Sequence, residues 1–205
     1  SPPDQEDLQR QLAVWLKQRV IVPAVPGAYA LNLVPVRKKG VAASVRRWTI
    51  DARPLNACTI PRPEFIGTVT ANLENLAGKS LFIAIDLANS FLSIPLKPED
   101  AHKLSFVTAR HGAYTMLRSG YGLTNSPAAL AQLSTAIMRP IKPDDGSHYV
   151  DDYLLHNNDP HDLLMTLKTF LEQLRAANVK LQTSKTKMFQ TLSLIHISEP
   201  TRHLF

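Results

Sequence analysis

Two adjacent aspartates, Asp151 and Asp152, lie in an otherwise apolar stretch that reads Tyr149-Val150-Asp-Asp-Tyr153-Leu154-Leu155. Carboxylates among apolar residues are costly unless a cation offsets their charge. A tight hairpin with both aspartates at its tip would present them to a divalent metal ion, which prefers oxygen ligands. The alternative is an exposed turn that merely contains two aspartates, which is the more frequent meaning of such a pair. The apolar flanks favour the metal site.

A third carboxylate, that of Asp86, ends the apolar run 81–85, which predicts a short buried strand. An acidic residue at the end of a buried strand often belongs to a site, although alone it could equally cap a helix. Three carboxylates on neighbouring strands would hold two metal ions about 3.5–4 Å apart. One ion would activate an attacking hydroxyl and the other would stabilise a leaving phosphate, which is the chemistry of phosphoryl transfer.

The elements that would position these residues are mixed. Apolar spacing and turn residues predict helices over 4–19, over 126–138 and from Asp159 to about 174. A further short helix is predicted to end at Ala77. Strands are predicted at 31–36 and 47–51, joined by a basic turn at 37–40, and at 81–85, 91–96, 103–107, 113–117 and 179–181, with a hairpin around Asp151 and Asp152. This order of strands and helices indicates an α+β fold.

Composition limits the class of protein. The 205 residues, 44% hydrophobic and 20% charged, fit one domain or two small ones. The lone Cys58 excludes an internal disulfide, and no apolar run reaches the roughly 18 residues that cross a bilayer. The first ten residues do not resemble a signal peptide. We therefore expect an intracellular protein, cytoplasmic or within a virus-like particle, with no membrane partner.

Charge is distributed unevenly along the chain. The net charge is +6. Between positions 36 and 62 there are seven basic residues and one acidic residue, Asp51, whereas acidic residues are concentrated in 144–162. Such a pattern suits a polyanion on one side and cations on the other. Taken alone, it is equally typical of a solvated surface. It makes nucleic acid or nucleotide a hypothesis to test.

Four motifs stand together in this chain: Trp48-Thr49-Ile50-Asp51-Ala52-Arg53-Pro54-Leu55-Asn56, Ile85-Asp86-Leu87 followed by Phe91 and Ile94-Pro95-Leu96, Gly122-Leu123-Thr124-Asn125-Ser126-Pro127, and Tyr149-Val150-Asp151-Asp152. Their types and relative positions resemble those of the reverse transcriptases of retroviruses and gypsy-type LTR retrotransposons. Each motif alone is weak to moderate, and the four together make the match strong. The resemblance covers about residues 8–190.

The resemblance implies a right-hand polymerase whose palm is an antiparallel sheet packed on helices. It implies fingers over 1–61 and 94–125, and a palm over 62–93 and 126–191. It assigns catalysis and metal binding to the carboxylates of Asp86, Asp151 and Asp152, assisted at the metals by the backbone carbonyl of Leu87. The implied cofactor is a pair of Mg²⁺ ions.

The resemblance also implies a set of nucleotide-binding residues. Lys38 and Arg47 match fingers residues that grip the incoming triphosphate, and Lys185 resembles a late palm lysine near the leaving pyrophosphate. Phe91 falls where an aromatic ring blocks a ribose 2′-hydroxyl, although a core phenylalanine would look the same. Tyr121 belongs to Gly120-Tyr121-Gly122, where retroviruses have Pro-Gln-Gly and gypsy elements Pro-Phe-Gly.

The function implied is RNA-directed DNA polymerase, here as a fragment of a mobile-element polyprotein. The partners implied are an RNA or DNA template with its primer, deoxynucleoside triphosphates, and the thumb and ribonuclease H regions that this chain lacks. One alternative is an inactive nucleic-acid-binding remnant, favoured by the polar residues Asp144-Asp145-Gly146-Ser147 where an apolar strand is usual. Another, an RNA-dependent RNA polymerase, is disfavoured by Phe91.

The last residues have a different character. Leu192 to Arg202 match the translation, in one frame, of a widely used transposase sequencing adaptor. We interpret residues 192–205 as an adaptor-derived tail, so that the native continuation of the chain is expected to differ from position 192 onward.

Overall fold

The computed structural model describes residues 2–37, 46–62 and 75–190. The helices are α1 Pro2–Lys17, α2 Arg53–Ala57, α3 Pro98–Ala101, α4 Ser126–Met138 and α5 Pro160–Ala176. The strands are β1 Ile21–Pro23, β2 Leu31–Arg37, β3 Arg46–Ile50, β4 Leu81–Asp86, β5 Ser105–Thr108, β6 Gly112–Met116, β7 Gly146–Tyr149, β8 Asp152–Asn157 and β9 Lys187–Gln190. No helix in these ranges is long and apolar enough to span a bilayer.

The chain divides into two compact units that interleave along the sequence. The first comprises Ser1–Pro63 with Phe91–Ala129, and the second comprises Glu64–Ser90 with Leu130–Phe205. Each unit has its own sheet and its own hydrophobic core. Naming the first unit the fingers and the second the palm remains a proposal.

The first unit contains a five-stranded sheet in the order β1-β6-β5-β2-β3, antiparallel except for the β2–β5 pair. In its core, one face of α1 packs against the sheet through Leu8, Leu12 and Trp15. The Trp15 ring meets the buried Phe106 ring edge to face at 6.5 Å. Trp48 Nε1 donates a hydrogen bond to Asp7 Oδ2 at 2.8 Å, which fixes α1 against β3.

The second unit contains a four-stranded antiparallel sheet in the order β7-β8-β4-β9. Helix α5 packs on this sheet through Leu163, Phe170 and Leu174, which recur at helical spacing and are all buried. As predicted, Asp159 caps α5: its side chain accepts hydrogen bonds from two backbone amides of the first turn, and Pro160 takes the first helical position. These two sheets with their helices confirm the predicted α+β class.

Most predicted elements are present near their predicted bounds, but two predicted strands are wrong. Residues 91–96 do not form a strand, because Asn89 turns the chain at a φ of 50° and Ser90–Ser93 form a 3-10 helix. Leu181 makes only an isolated bridge to Leu87, and the strand that completes the sheet is β9, which the sequence analysis missed. β9 is mostly exposed and therefore carries no alternation of buried and exposed residues.

The strand before Tyr149 corrects a further expectation. Polar residues stand at 144–147 where an apolar strand is usual, yet β7 pairs with β8 at every position from Gly146 to Tyr149. Gly146 explains this, because a Cβ there would lie 2.9 Å from Met138 Cε and 3.1 Å from Leu155 Cδ2. The polar strand is thus built around a glycine that lets the backbone approach the core closely.

Three other predictions lie outside the described residues. They are the basic turn beyond Arg37, most of the helix predicted to end at Ala77, and the tail 192–205.

A buried histidine in β8 gives the fold a predictable response to acid. His156 is fully buried beside Phe82. Burial lowers the pKa of His156 below its ordinary value of 6.5, and the charge of Lys79 adds to this; the backbone of Asp144 and the charges of Asp144 and Asp145 oppose the shift. The folded protein therefore resists protonation at this ring, whereas the unfolded chain does not.

We expect the free energy of unfolding to be maintained above about pH 6.5 and to fall as the pH drops below that value, because only the unfolded chain takes up the proton there. Urea unfolding at pH 7.5 and 5.5 measures the effect. His156→Leu should make the pH dependence shallower, whereas replacing the exposed His161 with Gln should leave it unchanged. The same slope in all three proteins would contradict the assignment. His148, whose pKa burial also lowers, accounts for a residual slope in the Leu variant.

Candidate active site

The sheet register of the second unit brings the predicted carboxylates to one end of the sheet. Asp86 is the last residue of β4 and lies directly opposite Asp152, the first residue of β8. Asp151 lies in the two-residue loop between β7 and β8, next to Asp152. Directly paired residues of antiparallel strands project from the same face. Asp86 and Asp152, which are 66 positions apart in the sequence, are therefore brought to the same end of the sheet, with Asp151 in the adjoining loop.

The loop that carries Asp151 has an unusual backbone. Val150 has a φ of 56°, which a two-residue hairpin loop requires at its first position and which glycine normally supplies. For a β-branched residue this conformation is strained. Two buried hydroxyls lie beneath it: Ser134 Oγ donates to the Val150 carbonyl at 2.7 Å, and Tyr153 OH donates to Ser134 Oγ at 2.7 Å.

Polar contacts also hold the carboxylates of Asp151 and Asp86. The hydroxyl of Ser90, itself buried, donates to Asp151 Oδ2 at 3.3 Å. Lys185 Nζ forms an ion pair with Asp86 Oδ2 at 2.6 Å. The turn that carries Lys185 is attached to the same strand, because Gln182 N donates to the Asp86 carbonyl at 2.8 Å. The side chain of Leu87 is buried beside these residues.

Burial and like charges together raise the cost of ionising this site. The pKa of Asp152 is raised, first because surrounding protein displaces water from its carboxylate and then because Asp151 and Asp86 repel its charge; Lys185 opposes the shift. The pKa of Lys185 is raised mainly by its hydrogen bond to Asp86, so the ammonium stays charged at neutral pH. Among the described residues, the exposed Lys185 is paired with Asp86 and also feels the charges of Asp152 and Asp151, so the carboxylates outnumber the cation paired with them.

Oxygen ligands, excess negative charge and partial exposure are what a hard divalent cation requires. The residues present therefore fit a metal site built on Asp86, Asp151 and Asp152. In the absence of a metal ion, the Lys185 ammonium supplies part of the compensating charge.

A different group of ligand-type side chains is more tightly gathered. Within the described part of the chain, only Asp159, His161 and Asp162 place ligand atoms all within 4.8 Å of one another. All three are exposed. As the cap of α5, the Asp159 carboxylate already accepts hydrogen bonds from the backbone amides of His161 and Asp162. Helix capping accounts for this group.

The predicted nucleotide-binding residues of the first unit form a cluster of their own. The Arg47 guanidinium carbon lies 4.7 Å from the centre of the Tyr121 ring, in a cation–π contact. The Phe91 ring meets the same tyrosine edge to face, with centroids 5.0 Å apart. Asn56 fixes the segment that follows, donating to the Gly122 carbonyl and accepting from Thr124 N. Lys38 lies outside the described residues.

The hydroxyls that support the loop were not predicted from the sequence. Ser90, Ser134 and Tyr153 carry no motif signature, since a serine within an apolar helix and a tyrosine within a strand are ordinary residues. The available signal was spacing: Ser134 follows Leu130 by four positions and precedes Ile137 by three, on the buried face of α4. A hydroxyl at such a position needs a partner within the core.

Comparisons with known proteins identify the class. Residues 36–199 match the family described as reverse transcriptase (RNA-dependent DNA polymerase). Because this match covers most of the chain, the protein belongs to the reverse transcriptase family, whose members are nucleotidyltransferases that use divalent metal ions.

Two similar polyproteins come from Drosophila melanogaster. The retrovirus-related Pol polyprotein from transposon opus is 28% identical over 90% of this chain, and that from transposon 297 is 31% identical over 77%. The Tf2-3 transposon polyprotein of Schizosaccharomyces pombe is 27% identical over 83%. The chain spans only 18%, 15% and 13% of these relatives.

Solved structures show the same fold. The native protease-reverse transcriptase of prototype foamy virus is 25% identical, with a TM-score of 0.77 over 92% of this chain and 24% of its own. A foamy viral protease-reverse transcriptase in complex with double-stranded DNA is 21% identical, with a TM-score of 0.82 over 93% of this chain and 32% of its own. The predicted polymerase fold is confirmed.

The carboxylate repulsion leads to a stability prediction. Asp152→Asn should raise the melting temperature of the metal-free protein, because it removes one of the mutually repelling charges. The carboxylate is partly exposed, so solvent screening limits the gain to about 1–3 °C. Differential scanning calorimetry in EDTA measures it.

The same variant should lose most of the stabilisation that millimolar Mn²⁺ gives the parent chain, since a bound ion stabilises only the folded state. Asp162→Asn, in the α5 cap group, is the matched control and should keep that stabilisation. A lower melting temperature for Asp152→Asn in EDTA would show that the carboxylate is not repelled by its neighbours.

Proposed function

We propose that this chain carries the catalytic carboxylates of an RNA-directed DNA polymerase, within a longer mobile-element polyprotein. The observation that carries the proposal is the pairing of Asp86 with Asp152 across two strands, with Asp151 in the adjoining loop. Membership of the reverse transcriptase family supports the same reaction. The reaction proposed is attack of a primer 3′-hydroxyl on the α-phosphate of a deoxynucleoside triphosphate, with pyrophosphate as the leaving group.

The carboxylates would hold two Mg²⁺ ions, assisted by the backbone carbonyl of Leu87. When bound, such ions lower the pKa of an attacking hydroxyl and stabilise charge on phosphate oxygens. The protein's own contribution is to fix the carboxylates in advance, through the β4–β8 register and the contacts of Ser90 and Ser134. Such positioning lowers the barrier because no reorganisation is needed at the moment of reaction.

The remaining residues are assigned to the nucleotide. Lys185 stays protonated beside Asp86, so it can stabilise negative charge on a leaving pyrophosphate. Arg47 and Lys38 would contact the triphosphate, since guanidinium and ammonium groups bind phosphate oxygens. Phe91 and Tyr121 would contact the sugar, and their mutual ring contact supports a shared role.

The partners proposed are a primed RNA or DNA template and deoxynucleoside triphosphates, together with thumb and ribonuclease H regions elsewhere in the polyprotein. Foamy viral relatives have been solved with double-stranded DNA and with an RNA/DNA hybrid, which supports this choice. The proposed location is inside the cell, in the cytoplasm or a virus-like particle.

The alternative of an inactive nucleic-acid-binding remnant rested on a weak strand before Tyr149. That strand is fully paired, so no specific observation now favours the remnant.

Primer extension on an RNA template tests the proposal. The 205-residue chain should incorporate deoxynucleotides in Mg²⁺ or Mn²⁺. Asp86→Asn and Asp151→Asn should each reduce the rate about a hundred-fold or more, because losing a metal ligand forfeits several kcal/mol of charge stabilisation. Asp144→Asn, on the acidic stretch before β7, should retain the parent rate. Equal activity in all of the variants would refute the carboxylate assignment.

Phe91 provides a separate prediction about sugar choice. Phe91→Val should lower the ratio of kcat/KM for dTTP over UTP by about tenfold or more, because a smaller side chain leaves room for a 2′-hydroxyl. The ratio is measured on a primed RNA template, with Phe106→Leu, in the core of the first unit, as the packing control. If the ratio is unchanged while DNA synthesis survives, Phe91 is a core residue and plays no part in sugar selection.

A further inference from the structure

A chain of two buried hydroxyls ends on the loop that carries Asp151. Tyr153 is 2% exposed and Ser134 is fully buried. The tyrosine hydroxyl donates to Ser134 Oγ at 2.7 Å, and that oxygen donates its own proton to the Val150 carbonyl at 2.7 Å. The chain therefore has one direction and ends on a backbone acceptor.

The acceptor is significant because the Val150 carbonyl belongs to the peptide plane that leads into Asp151. Val150 adopts a φ of 56°, a conformation that is strained for a β-branched residue and persists only where its surroundings enforce it. The Ser134 hydrogen bond holds this carbonyl from below. Rotation of that plane would turn the aspartate backbone that follows it.

The tyrosine is itself held rigidly. Its ring packs against Phe170 at 5.0 Å and stacks with His148 at 6.0 Å, within a core that is otherwise apolar. Tyr153 directly follows Asp152, so the same residue contacts the hydroxyl chain and adjoins the second aspartate of the pair. An apolar pair at positions 134 and 153 would fill this core without a buried polar group to satisfy.

We propose that Ser134 and Tyr153 are positioning residues, which hold the Val150–Asp151 peptide so that Asp151 and Asp152 present their carboxylates to a divalent cation. This inference rests on the proposed function, since it concerns the same metal site. It makes two core hydroxyls determinants of metal affinity, although neither residue supplies a carboxylate.

Mn²⁺ affinity, measured by electron paramagnetic resonance on the full chain, tests the proposal against a merely structural role. Ser134→Ala should weaken Mn²⁺ binding about tenfold, the effect expected when a group that orients a metal ligand is lost. Ser134→Cys keeps the size of the side chain but donates only weakly, and it should show the same loss if the alanine variant does not fold. Tyr153→Phe should have a smaller effect, of two- to threefold.

The matched control is Ser105→Ala in the first unit. Ser105 is also buried, also shares a hydrogen bond with a second hydroxyl, that of Thr115, and also donates to a backbone carbonyl. Its loss should lower the melting temperature without changing Mn²⁺ affinity. The double variant Ser134→Ala/Tyr153→Phe separates the two effects further. It should regain part of the melting temperature lost by Ser134→Ala, because no tyrosine hydroxyl is left buried without an acceptor, while Mn²⁺ binding stays weak.

Hydrogen exchange supplies a readout that needs no metal. Ser134→Ala should speed amide exchange of residues 149–153 relative to β4, whereas Ser105→Ala should not. Parental Mn²⁺ affinity and parental exchange in a folded Ser134→Ala or Ser134→Cys variant would overturn the inference. If Mn²⁺ binding by the parent chain proves insensitive to Asp86→Asn and Asp151→Asn, the proposed function fails. The exchange data alone then decide whether the hydroxyls hold the loop.

Discussion

Mutual repulsion among three carboxylates is the constraint on which the second unit depends. Asp86 and Asp152 face each other across β4 and β8, and Asp151 adjoins them, so the folded chain concentrates charge that the unfolded chain would disperse. The strands that carry them are held in register by apolar residues such as Ile83 and Leu155, both fully buried. A shift of one residue would expose that core, and so the core specifies which carboxylates meet.

The rest of the site can be understood as compensation for that repulsion. Lys185 supplies a cation from a turn whose backbone is bonded to Asp86, so the charge and its partner are fixed to the same strand end. The pKa of Asp152 stays raised because burial and the charges of Asp151 and Asp86 outweigh the opposing charge of Lys185. Such an imbalance costs stability, whereas a fully neutralised cluster would bind cations weakly.

The candidate carboxylates could be picked out from the sequence, whereas the residues that support them could not. Asp86, Asp151 and Asp152 stand in motifs, and the amphipathic spacing of α5 and the Ser-Pro start of α4 predict both helices within one or two residues. The exposed strand β9 has no periodic pattern, and the polar strand β7 depends on a close approach at Gly146 that only the packed structure shows. The role of the Ser134 and Tyr153 hydroxyls could not be predicted, because the two residues are 19 positions apart and only the folded structure brings them into contact.

In the first unit, Tyr121 joins two residues for which separate roles are proposed. Its ring contacts both the Arg47 guanidinium and the Phe91 ring. A cation over the face of the ring and an aromatic edge beside it are both favourable for a tyrosine. The basic strand β3 and the residue assigned to sugar choice are therefore not independent. Substitutions at Arg47 and Phe91 that share this ring should combine non-additively, as residues with a common partner do. The Gly-Tyr-Gly segment is thus a structural link between Arg47 and Phe91.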